Sequence, residues 1–139
     1  MEQLDGKASG ETTDQAIARV ASGSHGVVAR ADLARIGVTP EQIRNRLRKG
    51  SLIGIHRGVY RVGHQAPNRE STYMAAVKAC GDRAVLCGRA AAHLWGLVKG
   101  VPPRPEVRAT GKRLVPGVVT HRAIGFVPTE VTDWRGIPV

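Results

Sequence analysis

The sequence predicts an α+β protein, in which an N-terminal winged helix-turn-helix is followed by a small mixed α/β domain. The segment Val27–Gly63 contains, in order, a short helix, a tight turn, an arginine-rich second helix and a basic β-hairpin. This is the element order of a winged helix-turn-helix. The segment also holds eight Lys or Arg residues against only Asp32 and Glu41. After it, two helical segments alternate with short extended ones.

Composition points to a polyanionic partner. The 139 residues contain 21 Lys or Arg against 11 Asp or Glu, a formal net charge of +10, and a hydrophobic fraction of 42% that suffices for a packed core. No segment approaches the roughly 18 continuous apolar residues that a membrane helix needs. The N-terminus has neither the basic start nor the apolar run of a signal peptide. We therefore expect a cytoplasmic protein with no membrane partner.

Three regions are predicted along the chain. Residues 1–12 are rich in Gly, Glu and Thr and are expected to form a disordered tail. Residues 13–63 form the winged helix-turn-helix, beginning with a helix over Asp14–Ala21. Residues 68–139 are predicted to form the small α+β domain. It ends within an extended segment, so the sequence is expected to be either a naturally short version or a piece of a longer protein.

The helix-turn-helix has strong local signals. A helix is predicted over Arg30–Ile36, although Ala29, which precedes it, has no side-chain oxygen for capping. The second helix begins with Thr39 as N-cap, Pro40 at its first position and Gln42 completing a capping box. Lys49 and Gly50 favour its end.

The rest of the chain is punctuated by glycine and proline. Ile53–Val62 alternates as a hairpin that turns at His56-Arg57-Gly58, and Val27 and Val28 form an extended step before the first motif helix. In the second domain, helices are predicted over Asn68–Cys80 and Gly88–Leu94. Extended segments are predicted at Glu106–Ala109, Val118–His121 and Thr129–Val139.

A helical projection of the second motif helix predicts a nucleic-acid-binding face. Ile43 and Leu47 define the buried side, and the opposite side is cationic or hydrogen-bonding. Arginine matches the guanine edge and Gln or Asn the adenine edge. The residues expected to contact bases are Gln42, Asn45 and Arg46. Those expected to contact phosphates are Arg30, Arg48, Lys49, His56 and Arg57. Thr39, Arg44 and Arg61 complete the candidate DNA-binding surface.

The alternative is an ordinary solvated helix face, since exposed arginines are common and Glu41 can pair with Arg44 or Asn45. The capped turn before this helix and the basic hairpin after it favour nucleic acid. The low aromatic content, 4%, argues against single-strand readout by stacking.

The hypotheses of an enzyme or of a metal site have less support in the sequence than nucleic-acid binding. Four residues, Cys80, Cys87, His93 and His121, are spaced too widely for a structural zinc site. Glu106-x-Arg108 resembles a nuclease's acidic-x-Lys motif but lacks a partnering Asp. We therefore expect no enzymatic activity, no cofactor and no metal. Trp95 is expected to be a packing anchor.

The chain resembles AbiEi-type antitoxins of type IV toxin–antitoxin systems. The resemblance is carried by VVARADLARIGVTPEQIRNRLRKGSLIGIHRGVYRVGH and continues through CGDRAVLCGRAAAHLWGL, PEVRAT, VVTHR and PTEVTDWRGIPV. It implies a winged helix-turn-helix with its helices at Arg30–Lys49 and its wing at Leu52–Val62. It also implies a sequence-specific repressor that binds double-stranded DNA at an inverted repeat in its own promoter, as a homodimer or as two adjacent copies.

Two other functions remain open. The second domain of such antitoxins counteracts a nucleotidyltransferase-like toxin, so the resemblance also implies a toxin-neutralising protein-interaction module. Some relatives attach this winged helix to a Vsr-like nuclease domain, and residues 1–139 would then be the DNA-targeting part of a longer nuclease.

Overall fold

The computed structural model describes residues 10–63, 66–111, 114–122 and 131–139 and confirms the α+β class. The chain divides into two compact units between Ala66 and Pro67. The first unit contains α1 (Thr13–Ser22), β1 (Val27–Ala29), α2 (Arg30–Arg35), α3 (Pro40–Lys49), β2 (Leu52–His56) and β3 (Val59–Val62). The second contains α4 (Arg69–Ala79), β4 (Val85–Leu86), α5 (Gly88–Leu94), β5 (Glu106–Ala109), β6 (Val119–Arg122), β7 (Asp133–Trp134) and β8 (Ile137–Pro138).

The first unit is built on a three-stranded antiparallel sheet in the order β1-β3-β2. The step at Val27 and Val28 is therefore a true strand, because β1 pairs with β3 over its whole length. One face of the sheet carries Val28, Leu52, Tyr60 and Val62, which form a single buried cluster with apolar residues of α1, α2 and α3. This cluster holds the three helices against one side of the sheet.

The N-terminal helix is closed by local contacts. Of the predicted tail, residues 1–9 lie outside the described residues. Thr12, by contrast, is the N-cap of α1: its hydroxyl accepts from the Gln15 amide at 3.1 Å, and Gln15 Oε1 accepts from the Thr12 amide at 2.9 Å. Glu11 forms an ion pair with Arg19 at 3.0 Å. Helix α1 thus begins at Thr13, directly after its N-cap Thr12.

The two motif helices begin differently. Ala29 has no capping side chain, but Asp32 Oδ2 accepts from the Ala29 amide at 2.7 Å, so half of a capping box remains at the start of α2. The start of α3 has both halves, with the Thr39 hydroxyl 3.2 Å from the Gln42 amide and Gln42 Oε1 2.9 Å from the Thr39 amide. Gly50 ends α3 at φ 82°, a left-handed conformation in which a side chain is strained.

The second unit contains a mixed sheet in the order β4-β5-β6 and a β7–β8 hairpin. β4 is antiparallel and β6 parallel to β5. Helix α4 begins at the N-cap Asn68 and α5 spans the predicted residues. The two-residue strand β4 was not predicted. Residues 129 and 130 of the predicted last extended segment lie outside the described residues. No helix in the described part of the chain has the length and apolar character required to cross a membrane.

Candidate nucleic-acid interface

Helix α3 presents most of its surface to solvent. Ile43 is its buried residue and belongs to the core of the first unit. The prediction that Leu47 is also buried is wrong, because Leu47 is 37% exposed. The inner face of α3 follows Ile43 and Arg46, three residues apart, instead of Ile43 and Leu47. The reason is that Arg46, beside Ile17 and Leu52, lines the small cleft on this side of the helix.

Arg46 is turned toward α1. Its side chain is only 18% exposed, and its Nε donates to Asp14 Oδ1 at 3.0 Å. Its Nη1 donates to the Gln42 carbonyl at 3.3 Å. Both contacts hold the guanidinium against the protein, so the structure offers no geometric support for the predicted base contact of Arg46.

The exposed surface of α3 carries three other cations: Arg44, Arg48 and Lys49. Within the described residues, the side chains of Arg44 and Lys49 make neither a hydrogen bond nor an ion pair, so both cations remain available to an external anion. Arg48 donates through Nη2 to Asn45 Oδ1. Glu41, which the sequence offered as a partner for Arg44 or Asn45, makes no ion pair with Arg44 in this part of the chain. The positive charge of this row of cations, Arg44, Arg48 and Lys49, is therefore not neutralised by an acidic side chain of α3 among the described residues.

The two amides on α3 already use their oxygen atoms. Gln42 Oε1 accepts from the Thr39 amide, and Asn45 Oδ1 accepts from Arg48. Each carbonyl oxygen has a second lone pair, and the NH₂ group of each side-chain amide is still available as a donor. Bidentate pairing with adenine therefore remains chemically available to both amides. Thr39 itself is committed to capping, although its side chain is exposed.

The wing is the hairpin of β2 and β3, with a turn at Arg57 and Gly58. Arg57 is exposed at this turn, and Arg30 lies next to it because the Arg30 amide donates to the Gly58 carbonyl at 2.8 Å. Arg30 Nη2 also lies 3.5 Å from the Tyr60 hydroxyl. Burial lowers the pKa of His56 below its ordinary 6.5, which disfavours a positive charge at this position of the wing.

Arg61 lies apart from these residues. It sits on β3, directly opposite Val27 on β1 and Ile53 on β2. Because side chains alternate along a strand, Arg61 occupies the sheet face opposite to that of Tyr60 and Val62, which pack against the helices. Of the predicted site residues, Arg61 is thus separated from α3 by the thickness of the sheet.

A capped helix-turn-helix followed by a two-stranded wing is the arrangement of the winged helix-turn-helix class of transcriptional regulators. Residues 15–63 match the sequence model of the family described as "Transcriptional regulator, AbiEi antitoxin". This match confirms, over residues 15–63, the resemblance inferred from the sequence. No curated protein matches the chain.

Proposed function

We propose that the chain is a sequence-specific double-stranded DNA-binding regulator, with α3 in the major groove and the wing against the sugar–phosphate backbone. The observation that carries this proposal is the row of exposed cations on α3, of which Arg44 and Lys49 have no partner among the described residues. The family match over residues 15–63 supports the regulatory role. A cationic face that its own fold leaves unneutralised is suited to phosphate neutralisation with counterion release.

Base reading is assigned to the part of α3 nearest its N-terminus. In helix-turn-helix proteins these residues meet the base edges, while residues further along and on the wing meet phosphates. We assign base contact to Gln42, Arg44 and Asn45, and phosphate contact to Arg48, Lys49, Arg30 and Arg57. Arg44 takes the guanine-reading role that the sequence suggested for Arg46, because Arg44 is exposed and unpaired within the described residues whereas Arg46 is held by Asp14.

We further propose that the protein represses its own promoter by binding an inverted repeat, as a homodimer or as two adjacent copies. An operator with two-fold symmetry matches two copies of one helix-turn-helix, whose half-sites are separated by one helical turn or a multiple of it. The protein acts here by occupying DNA, with no chemical step of its own.

The test is selection of bound duplexes from a random pool at a stated salt concentration. The proposal expects one enriched motif with two inverted half-sites, and a matching site upstream of the protein's own coding sequence. A matched pool selected with Arg44→Ala should lose a preference at particular positions of the half-site. Enrichment of no duplex motif by the unaltered protein would contradict the proposal.

A second candidate function, neutralisation of a nucleotidyltransferase-like toxin, is favoured by three exposed apolar side chains in the second unit. Trp95, expected to be packed, is 50% exposed, and Leu97 and Val101 are 78% and 89% exposed. These residues lie on the segment between α5 and β5. Contiguous exposed apolar side chains mark protein-binding sites, and we propose that these three residues together form the toxin-binding surface.

This second function is tested by co-expression with a nucleotidyltransferase-like protein encoded beside the gene. The toxin should co-purify with the unaltered protein and be released by Leu97→Asp, while Lys99→Ala, a neighbouring exposed position, leaves the association intact. Equal co-purification of both variants would exclude this surface, and growth arrest unrelieved by the unaltered protein would exclude neutralisation.

A further inference from the structure

Three side chains with metal-binding atoms converge at one edge of the β4-β5-β6 sheet. They are Cys87, which directly follows β4, Glu106 at the start of β5, and His121 on β6. Their ligand atoms all lie within 4.8 Å of one another. The three residues are 19 and 15 positions apart in sequence, taken in chain order (106 − 87 and 121 − 106).

Strand pairing explains why they meet. β4 and β5 are antiparallel with Leu86 opposite Val107, which places Cys87 opposite Glu106, and the Cys87 amide donates to the Glu106 carbonyl at 2.8 Å. β5 and β6 are parallel with Arg108 opposite His121. Because Glu106 and Arg108 are two apart on one strand, Glu106 and His121 point to the same side of the sheet.

The carboxylate of Glu106 lies against the start of α5. Gly88 has φ +59°, and a Cβ atom there would lie 2.2 Å from Glu106 Oε1, so a side chain at position 88 would displace this carboxylate from its observed position. The Arg89 amide donates to Oε1 at 3.3 Å. The other oxygen, Oε2, lies 2.7 Å from His121 Nε2. The carboxylate is thus anchored on one oxygen and directed to His121 by the other.

The combination of thiolate sulfur, imidazole nitrogen and carboxylate oxygen is a ligand set that zinc prefers. Three protein ligands leave one tetrahedral position for water. The ordinary alternative is a His121–Glu106 ion pair with a thiol beside it, and that arrangement needs no ion. The two differ in what the thiol does: it is a bystander in the ion pair and a ligand in the metal site.

We propose that Cys87, Glu106 and His121 bind one divalent transition-metal ion, of which Zn²⁺ suits the ligand set best. The ion would tie the end of β4 to β5 and β6 in the second unit. The sequence reading, which expected no metal, considered Cys80 and His93 together with Cys87 and His121. Cys80 is buried at the end of α4, and the ring of His93 is engaged by Arg69 Nη1 and the Gly100 carbonyl.

The test uses Zn²⁺ and Co²⁺ alone as probes on the full chain. Dialysis against Zn²⁺ followed by elemental analysis should give one ion per chain, and Co²⁺ should give a thiolate-to-metal charge-transfer band. Cys87→Ser should abolish that band and weaken Zn²⁺ binding by more than the roughly 10–100-fold that loss of an outer-shell partner costs. Cys80→Ala is the matched control, because it removes the other cysteine and should keep both signals.

A second readout guards against misfolding of a variant. Zn²⁺ should raise the midpoint of thermal unfolding of the unaltered protein and of Cys80→Ala, since an ion that binds only the folded state stabilises it, and should leave Cys87→Ser and His121→Gln unshifted. Binding of no ion by the unaltered protein would overturn the proposal. Equal Zn²⁺ binding and equal shifts in Cys87→Ser and Cys80→Ala would also overturn it.

Discussion

Arg46 Nε lies 3.0 Å from Asp14 Oδ1, a residue 32 positions earlier in the chain, and this contact joins α3 to α1. Asp14 belongs to the first turn of α1, and Arg46 lines the cleft beside Ile17 and Leu52. The arginine on the inner side of α3 thus has a packing function, and the arginine two positions earlier, Arg44, is left on the outer side.

This division predicts opposite effects for two arginine substitutions. Arg46→Ala should lower the free energy of unfolding by about 1 kcal/mol, because the side-chain stem and the ion pair are both lost. Arg44→Ala should change the free energy of unfolding by less than about 0.5 kcal/mol but cost ~1–3 kcal/mol in binding to the selected duplex. Urea unfolding and fluorescence anisotropy measure the two quantities.

Asp14→Asn is the control for this pair, since it removes the ion pair and leaves the stem of Arg46 packed. It should cost less than Arg46→Ala, within the ~0.2–1 kcal/mol of exposed ion pairs. The opposite pattern, with DNA binding lost in Arg46→Ala at unchanged stability and retained in Arg44→Ala, would restore Arg46 as the base-contacting residue.

The caps of α2 and α3 predict one destabilising and one stabilising change. Thr39→Ala removes the hydroxyl that accepts from the Gln42 amide and should cost about 1 kcal/mol of stability. Ala29→Ser should add roughly 0.5–1 kcal/mol, because Ala29 has the extended backbone of an N-cap (φ −94°, ψ 161°) and Asp32 already supplies the other half of the box. Denaturant midpoints of both variants test this, and a destabilised Ala29→Ser would refute the second half.

Two glycines should respond differently to alanine. At Gly50, φ is 82° and a Cβ would meet nothing within 4 Å, so Gly50→Ala should cost only the ~1–2 kcal/mol of a left-handed backbone. At Gly63 a Cβ would lie 1.9 Å from the Gly50 carbonyl oxygen, so the backbone itself must move. Thermal unfolding should show a clearly lower midpoint for Gly63→Ala than for Gly50→Ala. Equal midpoints would mean that the close approach of these segments is not maintained in solution.

The wing predicts a pH dependence of stability. Burial lowers the pKa of His56 in the folded state below the 6.5 of the unfolded chain, so the unfolded state binds more protons. The contribution of His56 is therefore complete above pH 6.5 and is lost as the pH falls through 6.5 toward the lower, folded value. Urea unfolding at pH 7.5, 6.5 and 5.5 should show a smaller loss of stability in His56→Gln than in the unaltered protein. Identical profiles of stability against pH in His56→Gln and the unaltered protein would contradict the lowered pKa of His56.

The extent of α3 could be predicted from sequence because its signals are local. Thr39, Pro40 and Gln42 fix its start, and Gly50 supplies the only kind of residue that adopts a left-handed end without strain. The hairpin turn at Gly58 follows from equally local chemistry. Each of these signals lies within a few residues of the structure that it determines.

The remaining features depend on distant partners. The orientation of Arg46 is set by Asp14 on another helix, and a helical projection centred on Ile43 and Leu47 contains no information about α1. The cluster of Cys87, Glu106 and His121 forms through strand pairing. Its signal was present in part, since Glu106 and His121 lie on predicted strands, but β4 is too short to be recognised by alternation.

The most direct test of the central claim, DNA binding by the exposed cations of α3, is the salt dependence of duplex affinity. The slope of log Kd against log salt should fall by about 0.9 in Lys49→Ala relative to the unaltered protein, because one phosphate contact is removed. Lys99→Ala, which removes the same charge from the second unit, should leave the slope unchanged. Equal slopes for all three proteins, or a Kd independent of salt, would contradict the account.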